Sequence, residues 1–298
     1  MSIHDTHSPD SVRRRRNREK IVETIFVIAA LISVLAVALI TLFIFYEGTP
    51  GIFKIGFFKF IFGPKWKPES QVFGILPMII SSLISTAIAV GFGVAVGLFV
   101  AIFLADMAPP WMVKLLRPVI ELLAGIPSVV YGYFGLIVLV PLIRNVFGGT
   151  GVSLLAVIAI LTVMILPTII NISTTAIKAV PKAYKEGSLG LGASHMQTIF
   201  RVILPSAKNG IAAAIVLGIG RAIGETMAVI MVAGNTRVIP TSLLAPCRTL
   251  TINIAFELGY ATGLHEEALF STGVVLFVFI MILNIVLNRV IKKKSEVK

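Results

Sequence analysis

Two opposite charges inside an otherwise apolar stretch, Arg221 and Glu225, are the residues best suited to chemistry in this sequence. They stand four positions apart, so on a helix their side chains would lie one turn apart on the same face. A charge at mid-membrane costs about 2.5–3.5 kcal/mol or more, and such charges usually line a substrate pathway. An arginine there suits an oxyanion, which accepts its forked N–H donors. The pair predicts an anion pathway, with a purely structural ion pair as the alternative.

A second candidate site is the run Gly125-Ile126-Pro127-Ser128 within another apolar stretch. Proline kinks a helix and frees a carbonyl, and a membrane tolerates freed backbone groups only where protein or a water-filled cavity satisfies them. Pro127 therefore predicts a helix kink. Ser128 is a candidate substrate ligand if the kink faces the pathway, and a plain kink is the alternative.

Two pairs of glycines at a spacing of four predict close packing between helices, because small residues let backbones approach. They are Gly93 with Gly97 and Gly220 with Gly224. The spacing is common, so it carries little information about function.

The segment 178–208 combines charges with an unusual number of small residues. Small residues follow Glu186, Gly192 stands six positions after it, and Leu204-Pro205 closes the segment. This pattern predicts a short amphipathic helix, a glycine turn and a second helix that returns to the membrane. The small side chains would permit tight docking of a partner helix or groove.

Several kinds of site find no support in the sequence. Cys247 stands alone, so neither an internal disulfide nor a cysteine-based metal cluster is expected. His195 has no nearby His or Cys, and His265-Glu266-Glu267 is typical of a solvated loop, so no metal site is expected. No Gly-Lys dipeptide occurs, which excludes a phosphate-binding loop for ATP. We find no catalytic cluster and predict that the chain is not an enzyme.

The composition indicates that lipid, and not water, surrounds most of the chain. Hydrophobic residues make up 57% of the chain and charged residues 13%, about half of what a soluble domain carries. A bilayer needs about 20 apolar residues per helix. We therefore predict an all-α membrane protein with six transmembrane helices, near residues 25–45, 73–105, 119–143, 151–177, 210–233 and 268–288.

The basic residues predict the orientation in the membrane. With both termini inside, 18 Lys and Arg residues lie on the cytoplasmic side and 7 on the other, which puts both termini in the cytoplasm. The basic N-terminus 1–24 and tail 290–298 flank the spans. The run Arg13–Arg16 is thus an anchor at the lipid bilayer, and no nucleic-acid partner is expected despite the net charge of +12.

The remaining segments are the first helix and two outer loops. The apolar run Ile25–Phe45 has 21 residues, longer than the roughly 7–15 of a cleavable signal, so we expect a retained helix. The loop 46–72 and the segment 234–267 are long enough to hold structure. Within the second, Thr249–Phe256 could be a short interfacial or re-entrant piece.

The segment 186–205 resembles the EAA motif of the permeases of type I ABC importers: Glu-Ala-Ala, three residues, Gly, nine residues, then Ile-x-Leu-Pro. The spacing is kept, although Gly187 and Ser188 replace the alanines and Val202 replaces the isoleucine. The resemblance covers roughly residues 73–289 and implies a MetI-like core with the first helix as an addition. It implies that 178–208 is the coupling loop to an ATPase, with contacts from Glu186, Gly187, Ser188, Gly192, Ala193, Leu204 and Pro205.

Two further stretches look like the phosphate-specific permeases of the PstC type, namely 125–132 and 221–229. The sister permease PstA shares much of Arg-Ala-x-Gly-Glu-Thr, and the Met-Ala-Val continuation favours the PstC type. This resemblance implies phosphate as substrate, with Arg221, Glu225, Thr226 and Ser128 along the pathway. Another oxyanion is an alternative. An ion-coupled secondary transporter is a further one, although it would be expected to carry more intramembrane carboxylates and paired broken helices.

The same resemblance implies partners and a location. The partners would be a PstA-like permease, a PstB-like ATPase dimer that holds ATP and Mg, and an extracytoplasmic phosphate-binding protein. This chain would carry no cofactor of its own. The complex would lie in the plasma membrane of a bacterium or an archaeon.

Overall fold

Six helices in the structure are long and apolar enough to cross a membrane, within the residues 9–296 that the computed structural model describes. Side chains are described for residues 19–286 and for Arg289, so the predicted anchor Arg13–Arg16 and the basic tail 290–298 lie outside the described side chains. The predicted all-α membrane fold is confirmed. The candidate spans are Glu19–Ile55, Leu76–Met107, Ser128–Phe147, Leu154–Lys178, His195–Gly224 and Leu264–Val286.

Short helices and one small hairpin join these spans. The helices are α1 (Pro9–Ile55), α2 (Phe57–Phe62), α3 (Leu76–Ile102), α4 (Pro110–Gly125), α5 (Ser128–Phe134), α6 (Val140–Phe147), α7 (Leu154–Lys178), α8 (Lys182–Gly190), α9 (His195–Thr198), α10 (Leu204–Gly224), α11 (Met227–Val232), α12 (Leu250–Glu257) and α13 (Leu264–Glu296). Strands β1 (Trp66–Lys67) and β2 (Val72–Phe73) pair antiparallel, with Trp66 opposite Phe73.

The spans give the molecule two ends, which we call the loop end and the hairpin end. The loop end holds residues 178–203, and the hairpin end holds residues 63–75 and 234–263. Helix α7 lies at the centre and packs against both α3 and α10. A Cβ atom on Gly93 would lie 2.6 Å from Ile165, and one on Gly97 would lie 2.8 Å from Ile169, so this glycine pair packs as predicted.

Each of three π-helical turns ends two residues before a proline. The turns are Phe103–Met107, Gly135–Leu139 and Ile199–Ile203, and the prolines are Pro109, Pro141 and Pro205. A proline lacks an N–H and clashes with the carbonyl four residues before it, and at Pro141 and Pro205 the wider π turn accommodates this within a continuous helix. The helix therefore runs unbroken from α9 into α10. The predicted span 210–233 begins too late, since the observed span starts at His195.

Helix α1 continues ten residues beyond the predicted end of the first span at residue 45. The run after Phe45 contains two glycines and a proline, which favours a turn in an isolated chain. Here the glycines lie against α13: a Cβ on Gly48 would be 2.6 Å from the carbonyl oxygen of Phe270, and Ser271 Oγ donates to the Gly48 carbonyl at 2.6 Å. Packing thus extends the helix, and the first part of the predicted loop 46–72 is helical.

The segment after α11 folds back over the start of α7. The N–H groups of Ser153, Leu154 and Leu155 donate to the carbonyls of Val232, Ala245 and Leu243 at 2.7–3.0 Å. These bonds satisfy the first-turn donors that an α-helix leaves unpaired. The chain then enters α12, which packs against α3, α11 and α13. The stretch Thr249–Phe256 is therefore helical, with Leu250, Thr251, Ile252 and Asn253 buried.

Candidate functional site

The helical chain is interrupted at two points, and both predicted pathway motifs lie at the interruptions. Helix α10 ends at Gly224 and α11 begins at Met227, with Glu225 extended at ψ 130°. Helix α4 ends at Gly125 and α5 begins at Ser128, with Ile126 extended at ψ 128°. We call residues 126–128 and 224–226 together the break site.

The break at Pro127 is more severe than the predicted kink. A residue before proline is driven towards extended backbone, and Ile126 takes that conformation, so two separate helices result. The predicted span 119–143 is therefore wrong: α4 ends at Gly125, and the span begins only at Ser128.

The two breaks lie beside each other because the helices that follow them pack closely. A Cβ atom on Gly132 in α5 would lie 2.8 Å from Ala228 Cα in α11, which leaves no room for a side chain. Gly132 is four residues beyond Ser128, and Ala228 is three beyond Glu225. The contact thus brings Ser128 and Thr226 to a similar depth in the helix bundle.

Arg221 and Glu225 do not form the predicted ion pair among the residues that the structure describes. Arg221 Nη1 donates to Thr168 Oγ1 at 3.1 Å, while Glu225 Oε1 accepts the Ala228 N–H at 3.0 Å. The i, i+4 geometry fails because α10 ends before Glu225, which then caps the first turn of α11. The arginine therefore has a neutral partner, and the glutamate has a backbone one.

Side-chain hydroxyls satisfy backbone groups that the breaks release. The Tyr131 hydroxyl reaches back across the first break to the Leu123 carbonyl at 2.7 Å. At the second break, Thr226 Oγ1 donates to the Gly224 carbonyl at 3.3 Å, and Thr251 Oγ1 donates to the Glu225 carbonyl at 2.9 Å. In a membrane such partners are required, because lipid offers no hydrogen bonds.

Space remains around the break site. Gly125, Gly220 and Gly224 have no atom within 4 Å of the position that a Cβ would take, so the predicted packing role of Gly220 and Gly224 is wrong within this chain. An open groove of about 620 Å³ runs along the α4–α5 break and includes Gly125 and Pro127. The groove is lined by residues of α4 and by Ile126 and Pro127 of the first break. The predicted pathway residues are half-buried: Ser128, Arg221, Glu225 and Thr226.

At the loop end, α8 and α9 form two arms joined by a turn at Gly192. Gly192 has φ +85°, a conformation that glycine adopts without strain. The Ser188 and Thr198 hydroxyls, 3.0 Å apart, tie the arms together. Asp106, at the end of the second span, forms an ion pair with Lys185, and its Oδ2 lies 2.7 Å from His195 Nε2. The turn between the two arms is exposed, and Leu191 beside Gly192 is 92% exposed.

The predicted coupling residues divide between these two arms and the start of α10. Glu186, Gly187 and Gly192 are exposed, and Ser188 and Ala193 are half-buried. Leu204 and Pro205 begin α10, where they continue the helix from α9 after its π-helical turn. They therefore lie apart from the exposed arm, at the base of the second arm.

A buried charge cluster at the hairpin end was not predicted. Glu257 is fully buried and accepts from Trp66 Nε1 at 2.8 Å and Arg248 Nη1 at 2.5 Å. Arg237 Nη2 and His265 Nε2 also lie 2.8 Å from its oxygens. We call these five residues the Glu257 cluster. The prediction that His265 is solvated is wrong, since its side chain is only 13% exposed.

The electrostatics of the Glu257 cluster favour the ionised carboxylate. Burial raises the pKa of Glu257, but hydrogen bonds from Trp66, Arg248 and His265 and the charge of Arg237 outweigh it, so the pKa falls below its ordinary value. Burial also lowers the pKa of Arg248, partly offset by Glu257. The residues come from four separate segments, so no spacing in the sequence predicted the cluster. Next to it, burial raises the pKa of the Cys247 thiol to about 12.

Comparison with known proteins shows similarity over most of the chain. Residues 93–296 match the family described as binding-protein-dependent transport system inner membrane component. A probable ABC transporter permease protein, YqgH of Bacillus subtilis, is 41% identical over 94% of both chains. The phosphate transport system permease protein PstC of Pasteurella multocida is 32% identical, over 90% of this chain and 91% of that one.

Further matches agree in sequence and in fold. PstC of Mesorhizobium japonicum is 34% identical over 74% of both chains. An inward-facing structure of the methionine ABC transporter MetNI superposes with a TM-score of 0.60 at 22% identity, over 77% of this chain and 99% of that chain. At that identity the structural match speaks for the fold alone.

Proposed function

Because the chain belongs to the family of binding-protein-dependent transport system inner membrane components, and is thus a multi-pass permease subunit of an ABC importer in the plasma membrane, we propose that it carries inorganic phosphate. Several relatives named phosphate transport permeases cover most of this chain at 31–34% identity. The observation that carries the proposal is Arg221 beside the open break, with one neutral hydrogen-bond partner among the described residues.

The chemistry of Arg221 fits an oxyanion. Phosphate near neutral pH carries one or two negative charges, so an uncharged route through the membrane would oppose its entry. A guanidinium has five N–H donors, and Arg221 donates one side-chain bond, to Thr168. The others are available for a substrate. Since no carboxylate among the described residues is paired with Arg221, its attraction for an anion is not offset by a neighbouring negative charge.

The break site supplies further donors and limits the strength of binding. The first turns of the helices that begin at Ser128 and Met227 expose N–H groups, which suit anionic groups in broken-helix transporters. Glu225 Oε1 occupies one of these, the Ala228 N–H. Its negative charge near the route would temper binding, and transport needs binding that is favourable but weak.

The loop end is proposed as the docking element for an ATPase dimer that binds ATP and Mg. In support, the arms around Gly192 expose Glu186 and Gly187, and Leu191 projects between them. Asp106 connects these arms to the second span, which would transmit movement of the loop into the membrane. The ATPase is proposed to be PstB-like, the second permease PstA-like, and the outer partner a phosphate-binding protein.

The orientation of the chain across the membrane is part of the same proposal. The excess of 18 basic residues over 7 favours a cytoplasmic loop end and cytoplasmic termini. A thiol-labelling experiment tests it, because Cys247 is buried with a pKa of about 12 and stays silent. In intact cells an impermeant reagent should label Gly263→Cys and spare Leu191→Cys. The reverse pattern would contradict the orientation.

Uptake of labelled phosphate tests the substrate. Cells that lack their own phosphate importer should take up phosphate only when this chain is expressed with its partners, and excess sulfate should not compete. Competition by sulfate at equal concentration would point to another oxyanion. Uptake that persists after depletion of ATP, and follows the proton or sodium gradient, would support the secondary transporter instead.

A valine substitution tests the docking role. Gly192→Val places a β-branched residue at φ +85° and should distort the turn, so that ATPase copurification and uptake both fall. The matched control is Gly263→Val, which introduces a similar strain at φ +58° at the hairpin end. Normal ATPase copurification with Gly192→Val would argue against docking at this turn.

A further inference from the structure

Helix α12 connects two charged regions that the sequence places far apart. It lies outside the six candidate spans, yet Leu250, Thr251, Ile252, Asn253 and Glu257 are all buried. Its first residue belongs near the break site and its last belongs to the Glu257 cluster. This short helix of eight residues, within the hairpin end, thus runs from the break site to the Glu257 cluster.

The first turn of α12 is held in place by hydroxyl groups. Thr249 Oγ1 accepts the Ile252 N–H at 3.3 Å, which caps the helix. Ser82 Oγ, on α3, accepts the Leu250 N–H at 3.0 Å. Both side chains are buried, so the start of α12 has a defined position against α3.

From that position Thr251 reaches the break. Its hydroxyl donates to the Glu225 carbonyl at 2.9 Å and lies 3.0 Å from the Thr249 hydroxyl. The Glu225 carbonyl follows the last residue of α10, where the backbone turns to ψ 130°. A carbonyl released inside a membrane needs a partner, and Thr251 supplies one from a distant part of the chain.

The last residue of α12 is anchored more firmly than the first. The Glu257 carboxylate receives Trp66 from the hairpin, Arg237 and Arg248 from the segment before α12, and His265 from α13. Four donors on a buried carboxylate hold this end of α12 to the surrounding elements. Helix α12 is therefore fixed at one end and bonded to the break at the other.

We propose that Thr251 is a positioning residue for the substrate pathway: it holds the backbone of Glu225, and through it the orientation of the Glu225 carboxylate that caps α11. It does not contact the substrate. The transport part of this inference rests on the proposed phosphate pathway, whereas the structural part does not. The two can therefore fail separately.

Amide hydrogen exchange tests the structural part on the full-length chain in detergent, purified with the chains that copurify with it. Thr251→Val keeps the shape of the side chain and removes the hydroxyl. Exchange of the amides in 226–232 should become about fivefold faster, the change expected for one lost hydrogen bond. The control is Thr272→Val, which removes another buried hydroxyl, bonded within α13, and should leave these amides unchanged.

Rescue by a smaller hydroxyl residue separates positioning from general packing. Thr251→Val should lower phosphate uptake per assembled complex about fivefold. Thr251→Ser keeps the hydroxyl donor, so it should restore both this uptake and the slow amide exchange. If Thr251→Val does not assemble, Thr251→Ala is measured in its place. Unchanged exchange in the hydroxyl-free variant, or a serine variant that behaves like it, overturns the proposal.

A failure of the proposed substrate looks different. If the unsubstituted chain takes up no phosphate, the phosphate pathway is wrong, but the exchange rates still decide the role of Thr251. If uptake is normal and exchange in 226–232 does not respond to Thr251→Val, the pathway stands and the positioning role falls.

Discussion

The break site and the Glu257 cluster use the same residue types in opposite ways. In the Glu257 cluster a fully buried carboxylate is surrounded by two arginines, a histidine and a tryptophan. At the break site Arg221 has a threonine as its partner, and Glu225 caps a helix. An open groove runs along the first break, whereas the Glu257 carboxylate is fully buried.

The difference separates a structural charge cluster from one available to a ligand. Burying a charge is costly unless opposite charges and hydrogen bonds compensate it, and the Glu257 cluster achieves this compensation with protein groups alone. Arg221 is only partly compensated, so a negatively charged ligand would improve its environment. A buried charge by itself therefore does not identify a pathway here; incomplete pairing beside open space does.

The largest effect is expected in the Glu257 cluster. Glu257→Gln removes the counter-charge of Arg237 and Arg248, and breaking a buried ion pair costs about 3–5 kcal/mol. The melting temperature of the purified chain and the yield of folded protein should both drop. The control, Glu266→Gln, alters an exposed neighbour and should change neither. If Glu257→Gln were as stable as the unsubstituted chain, the Glu257 cluster would not be a structural charge cluster.

At the break site the expected loss is in transport and not in folding. Arg221→Gln removes a charge that bonds only Thr168 in the described chain, so stability should change little. Phosphate uptake per assembled complex should fall about 10- to 100-fold, the range for losing a hydrogen bond to a charged group. Arg144→Gln, at an exposed arginine of α6, serves as the control. Normal uptake per complex would make Arg221 structural.

Glu225 gives a smaller effect that distinguishes its cap from its charge. Glu225→Gln keeps an oxygen for the Ala228 N–H, whereas Glu225→Ala removes it. Loss of a helix cap costs about 1 kcal/mol, so we expect uptake to fall about fivefold for alanine and less for glutamine. Equal loss in both variants would show that the negative charge matters more than the cap.

The last effect is a pH dependence of stability that arises from the Glu257 cluster. The pKa of Glu257 is lower in the folded chain, so its stabilisation is present above the ordinary value of about 4.5 and is lost as pH falls through the folded pKa. The loss is at most about 1.4 kcal/mol per pH unit. Thermal unfolding between pH 3 and 5, which covers the window around 4.5, should show this slope in the unsubstituted chain and not in Glu257→Gln.

Much of the fold was accessible from the sequence because lipid imposes a strong pattern. Six apolar stretches predicted six spans, Pro127 predicted a kink where α4 ends, and Gly192 predicted the turn between α8 and α9. These are local signals. An extended residue before proline or a positive φ at glycine depends on the residues themselves and their neighbours.

The partners of the charged residues could be decided only by the tertiary structure. Spacing predicted Arg221 with Glu225, yet the end of α10 separates them and Thr168 of α7 takes the arginine. Thr251 meets Glu225 from 26 residues away, and Trp66 meets Glu257 from 191. Such contacts arise when helices bury each other, because every polar group removed from water must find whichever partner the packing brings near it.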